Sequence, residues 1–120
     1  MAFNTYDIHS QRSTDRHQSD LCDSKPNRLP VGSSVTLDGV LIDNTTNTPK
    51  VYVKIYDNSG PTVGTTAPDC VLVAAAGATV AYTFSFGIAF SNFSFACVKE
   101  PGTSGDTDPD NDVIVSCLTH

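Results

Sequence analysis

From residue 34 onward the chain is written in steps of two. Val51, Val53 and Ile55 alternate with Tyr52, Lys54 and Tyr56, while Val80, Tyr82, Phe84 and Phe86 alternate with Ala81, Thr83 and Ser85. Side chains of an extended strand point to opposite faces in turn, whereas those of a helix return to one face about every 3.6 residues. No window repeats its apolar residues at i, i+3, i+4 and i+7. Val, Thr, Phe and Tyr are abundant and Leu is rare, which favours half-buried pleated surfaces. The ambiguous stretch is residues 71–81, whose alanines tolerate a helix. Its Val71 and Val73, flanked by Asp69 and Gly77, make a strand pair the better reading.

Turn residues divide this region into short strands. Residues 35–42 end at the cluster Asp43-Asn44-Thr45-Thr46-Asn47-Thr48-Pro49, and residues 51–56 end at Asn58-Ser59-Gly60-Pro61. A Gly/Thr/Pro connection over residues 62–68 leads to a strand at 69–75. A turn at Ala76-Gly77 then suggests a hairpin with residues 79–86. Gly87 breaks that run and predicts a bulge or a close backbone approach. Residues 88–90, 93–98 and 112–118 complete the set. The expected fold is all-β: a small antiparallel β-sandwich of about seven strands.

The length of 120 residues suits one domain. The net charge is −6, all of it in residues 34–120, where three lysines face nine acids. Such a balance repels phosphate backbones and anionic lipid surfaces, so neither nucleic acid nor membrane is an expected partner. No apolar run approaches the ~18 residues of a membrane span. The opening MAFNTYDIHS has neither a basic start nor an apolar stretch, so no secretory signal is expected. Residues 1–33 are neutral and polar, with scattered hydrophobes that show no period. They read as an extended N-terminal arm preceding a sandwich domain at 34–120.

The four cysteines, Cys22, Cys70, Cys97 and Cys117, include no CxxC pair, which disfavours zinc. Strand parity puts Cys97 with Phe93 and Phe95, and Cys117 with Val113 and Val115. Free buried thiols are therefore expected, with Cys97–Cys117 the most plausible pair were one disulfide to form.

Residues able to do chemistry are sparse. Asp106, Asp108, Asp110 and Asp112 alternate as in calcium loops and are the candidate metal set. The match ends there, because the sixth and twelfth positions, which need Gly and Glu, hold Asn111 and Cys117. A solvated acidic loop without metal is the expectation. His9, His17 and His120 lie in the arm or at the last residue, settings that rarely hold a tautomer for catalysis. No serine sits in a GxSxG elbow. Glu100 is the single glutamate, so a pair of glutamates is excluded. The reading is a non-enzymatic protein without cofactor. Tyr52 and Tyr56, sharing a strand face with Lys54, form a candidate binding platform, either for a sugar ring or for a neighbouring subunit.

Val53-Lys54-Ile55-Tyr56-Asp57, then Pro61-Thr62-Val63-Gly64-Thr65-Thr66-Ala67-Pro68, Ala76-Gly77 and Phe86-Gly87-Ile88-Ala89-Phe90-Ser91 make a specific text. It resembles a small β-sandwich module of tailed-bacteriophage virions, found in head and tail accessory proteins, across residues 39–98. The text departs from the module at Ser91-Asn92-Phe93-Ser94, where a glycine-leucine-serine kind of turn is usual. The resemblance implies a capsid decoration or cement protein on the exterior of the head, assembled in the host cytoplasm. It further implies a homotrimer that binds the major capsid protein and stabilises capsomer junctions. Fully extended, the arm would reach about 100 Å, enough to cross onto an adjacent subunit. Phe3, Tyr6, Ile8, Leu21, Leu29 and Val31 are its expected anchors, with Tyr52 and Tyr56 on the domain. The alternative is a tail, baseplate or cell-surface recognition module that binds carbohydrate or protein.

Overall fold

The computed structural model describes residues 15–28 and 34–120. These form eight strands and no helix: β1 Asp15–Ser19, β2 Asn27–Arg28, β3 Val35–Asp43, β4 Val51–Asp57, β5 Cys70–Ala74, β6 Thr79–Phe90, β7 Phe93–Val98 and β8 Ile114–Thr119. Two four-stranded sheets result, ordered β1-β8-β3-β6 and β2-β7-β4-β5. Every pairing is antiparallel. The all-β, two-sheet architecture agrees with the period-two text.

Between the sheets lies one apolar core. β3 contributes Leu37, Val40 and Ile42, and β8 contributes Val115 and Cys117. From the second sheet come Val51, Val53, Ile55, Leu72, Phe93, Phe95 and Cys97. Each aliphatic or aromatic side chain removed from water stabilises the fold by roughly 1.5–3 kcal/mol before entropy is counted. Phe93 packs edge-on to Phe90, with ring centroids 5.2 Å apart, at the turn where the chain passes from one sheet to the other. Asp57 secures that turn, its Oδ1 accepting the Ser91 and Asn92 amides at 3.0 and 2.8 Å.

The structure differs from the sequence reading at three places. First, residues 15–28 do not belong to an arm. β1 pairs with β8 from Asp15↔Thr119 to Ser19↔Val115, β2 pairs with β7, and Cys22 lies in the core. A polar edge strand is held by backbone hydrogen bonds along a neighbour's open side, so its side chains need not show a period. The rest of the expected arm, with Phe3, Tyr6, Ile8, Leu29 and Val31, lies outside the described residues.

Second, the turn at Gly77 does not close a hairpin. Gly77 has the expected positive φ of 67°, but β5 and β6 fall in different sheets, so the chain arches from one to the other. Two buried asparagines hold the arch. Asn44 donates to the Pro49 and Ala75 carbonyls at 3.1 and 3.0 Å, and Asn47 donates to Asn44 Oδ1 at 2.9 Å. Asn47 also accepts the Asn111 amide at 2.7 Å, which ties the β7–β8 connection to the same place.

Third, strands 79–86 and 88–90 are one strand, β6, interrupted by the bulge that Gly87 predicted. Gly39 of β3 faces Thr83, and Leu37 faces Ile88. Four residues of β6 therefore lie opposite Asp38 alone. Phe84 packs against the core, whereas Phe86, expected on the same face, stands in water at 96% exposure.

Candidate interaction surface

The two sheets present unlike outer faces. On the second sheet Tyr52, Lys54 and Tyr56 share the outer side, opposite Val98, Ala96 and Ser94 of β7. The expected platform is not available there, because Lys54 and Tyr56 are fully buried and Tyr52 is half-buried. The β7–β8 connection folds over Lys54. The Lys54 ammonium donates to the Gly102 and Gly105 carbonyls at 2.6 and 2.7 Å. Burial lowers the pKa of Lys54, and the nearby Glu100 and Asp106 oppose that shift. Burial raises the pKa of the Tyr56 phenol, whose hydroxyl has no hydrogen-bond partner among the described residues. A ligand-stacking role for Tyr56 is thereby overturned: a fully buried ring cannot meet a sugar.

The acidic loop is spent on its own architecture. Asp108 accepts the Ser24 amide at 3.0 Å, pinning the segment between β1 and β2, and this contact holds its carboxyl below the usual range. Asp110 pairs with Lys99 at 2.9 Å. The Asp106 side chain lies 3.1 Å from where a Cβ on Gly64 would stand, and the Asp112 carbonyl accepts the Thr46 hydroxyl at 2.7 Å. Asp108 and Asp110 thus direct their carboxylates to different neighbours, and Asp112 contributes its backbone carbonyl. Among the described residues no group of three or more His, Cys, Asp or Glu side chains is placed to hold a metal ion.

All four thiols are free, so the Cys97–Cys117 disulfide is absent. Cys22, Cys97 and Cys117 are buried together in the core. A hydrogen bond with Cys97, and then burial, raise Cys22; burial pushes Cys117 up to about 12. Such thiols stay protonated and unreactive at neutral pH. His120 Nδ1 sits 2.7 Å from Asp38 Oδ2, at the β3 irregularity, and His17 is half-buried on β1. His9 lies outside the described residues.

Among the described residues, the first sheet, by contrast, has an outer face that is in part open. Across it run Arg16, Leu118, Gly39 and Thr83 in one row, and Gln18, Ser116, Leu41 and Ala81 in the next. Ile114, Asp43 and Thr79 form a third. Leu41, Leu118 and Ile114 are partly exposed among these polar neighbours. Gly39 is required at its centre, since a Cβ there would stand 2.9 Å from the Tyr82 carbonyl oxygen. Arg16 donates to Gln18 and to the Ser116 hydroxyl, fixing the polar margin on β1.

Near this margin Leu21, an expected anchor, is 64% exposed. Leu21, Ile114, Thr45 and Thr46 line a groove of about 280 Å³ that Asp20, Asp43 and Asp112 also border. Asp43 is turned to its own backbone, accepting the Thr45 amide and hydroxyl, which lowers its pKa. Sequence reasoning missed Phe86 as a surface residue. The signal was Gly87 beside it: Phe84 and Ile88 on either side keep the inward parity, and only the residues of the bulge between them leave the alternation. Comparison of the chain with protein-family models, with curated proteins and with solved structures finds no match.

Proposed function

We propose that the protein is a non-enzymatic capsid decoration protein of a tailed bacteriophage, bound to the outside of the head, where it reinforces junctions between coat subunits as a homotrimer. The observation that carries this reading is the exposed apolar surface of the first sheet and its margins: Leu41, Leu118 and Ile114 on the face, with Leu21 and Phe86 beside it. Clustered exposed hydrophobes with polar neighbours suit attachment to another protein surface. The chemistry-bearing groups of the second sheet and its loops support the same reading. Lys54, Asp57, Asp108 and Asp110 hold loops in place. The resemblance over residues 39–98 supplies the virion setting. The carbohydrate-binding alternative depended on the Tyr52/Tyr56 platform and loses it.

Immunogold electron microscopy, with antibody against the purified chain and virus particles from its source, tests the proposal. Gold on the head shell, together with heads that leak DNA at lower temperature when the protein is missing, is the expected result. Label confined to tails, or no label on particles, overturns it.

A further inference from the structure

Phe86 and the groove beside Leu21 are two exposed apolar features that lie too far apart for a single chain to bring together. The bulge in β6 sets Phe86 outward, with Gly87 at a φ of 73° allowing the strand to resume inward at Ile88. A benzyl group at 96% exposure on a defined strand is the largest single piece of apolar surface that the described residues offer to water. The groove has room for it. An apolar cavity of about 150 Å³ already accommodates a benzene ring, and this groove holds about 280 Å³ between Leu21 and Ile114. Its border of Asp20, Asp43 and Asp112 meets an entering ring at the edge, where the aromatic quadrupole is positive.

Their placement excludes an occupant from the same chain. The bulge lies opposite Asp38 and the groove at Asp43, five positions along β3, or roughly 17 Å. They also lie toward opposite edges of the sheet, because β6 closes one side and β1, which leads into Leu21, the other. We propose that Phe86 of one copy enters the Leu21–Ile114 groove of a second copy of this chain. Such a contact joins two different patches, so it is heterologous: each bound copy still offers one free Phe86 and one free groove. Repetition closes a ring where the rotation permits. The contact concerns copies of this chain with each other and does not rest on binding to a shell.

Sedimentation velocity of the full chain over a concentration series, up to about 1 mM, tests it. Wild type should associate beyond the 12.7 kDa monomer. Phe86→Ala and Leu21→Glu should each weaken association about 10- to 100-fold, which is the value of burying one such side chain. Both residues are exposed, so their far-ultraviolet circular dichroism should match wild type. An equimolar mixture is decisive, because Phe86→Ala keeps an intact groove and Leu21→Glu keeps an intact Phe86. The mixture should form a species of twice the chain mass and nothing larger. A wild type that stays monomeric throughout, a Phe86→Ala variant that assembles unchanged, or a mixture that stays monomeric while wild type assembles would each overturn the contact. A monomer that still labels phage heads would sink this contact and the homotrimer with it, and leave attachment to the head standing.

Discussion

The Tyr82 hydroxyl on β6 closes the open edge of β5 by bonding both backbone groups of one residue: it accepts the Val73 amide at 3.2 Å and donates to the Val73 carbonyl at 2.6 Å. β5 is the outermost strand of the second sheet and β6 the outermost of the first, so the bond links the two sheets along the side where both end. An uncovered edge would offer unpaired amides and carbonyls to any passing strand. Tyr82→Phe should destabilise the fold by about 1–2 kcal/mol and raise the tendency to aggregate. Urea unfolding with light scattering on the same samples checks both. An unchanged midpoint would show that water replaces the hydroxyl without loss.

Lys54 acts as a peg for the connection that covers the second sheet. Replacing it with methionine keeps the length and apolar stem while leaving the Gly102 and Gly105 carbonyls without their donor. The expected loss is about 2–4 kcal/mol. Amides around residues 100–107 should exchange faster with deuterium than those of β4. Linkage adds a second signature. Burial lowers this pKa from 10.5, so the folded chain releases the proton before the unfolded chain does. The contribution of Lys54 to stability therefore rises with pH up to about 10.5 and disappears from the methionine variant. A variant that keeps both stability and slow exchange at 100–107 would refute the peg.

Alkaline pH should unfold the protein through its core thiols. Cys117 is raised from 9.0 to about 12, so the folded state holds this proton more firmly than the unfolded chain. The stabilisation is complete below pH 9 and is lost as pH rises toward 12, with about 3 kcal/mol gone by pH 11. Cys22, Cys70 and Tyr56 are raised too and act in the same direction. Urea midpoints measured from pH 8 to 11 should fall steeply in wild type and less steeply in Cys117→Val. Equal slopes in the two proteins would contradict this assignment.

Much of the fold was legible in local text. Val51, Val53 and Ile55 announce a strand face by their spacing, and Gly87 announces a bulge, because both effects act between near neighbours in the chain. The candidate surface was legible only in part. Leu21 was singled out for its apolar side chain in a polar stretch and is exposed. Phe86 shares the spacing of Val80, Tyr82 and Phe84, yet it lies inside the bulge, where the local backbone rather than the alternation sets its direction. Tyr56 and Lys54 were rightly placed on the outer side of their strand, yet an outer side is exposed only if nothing folds over it. Lys54 is covered from Gly102 and Gly105, more than forty positions away.

What this sequence determined alone is its secondary structure: strands where β-branched and aromatic residues alternate, and turns where Gly, Pro and Asn collect. Tertiary structure decided which polar segment would find an edge to pair with, as β1 does along β8, and which strand face would be roofed by a loop. It also decided which turn joins two sheets and which pairs two strands, as at Gly77. The physical reason is range. Backbone preference and side-chain period are set within a few residues, whereas backbone hydrogen bonds to a distant strand, and loss of water beneath a distant loop, depend on where the rest of the chain comes to lie.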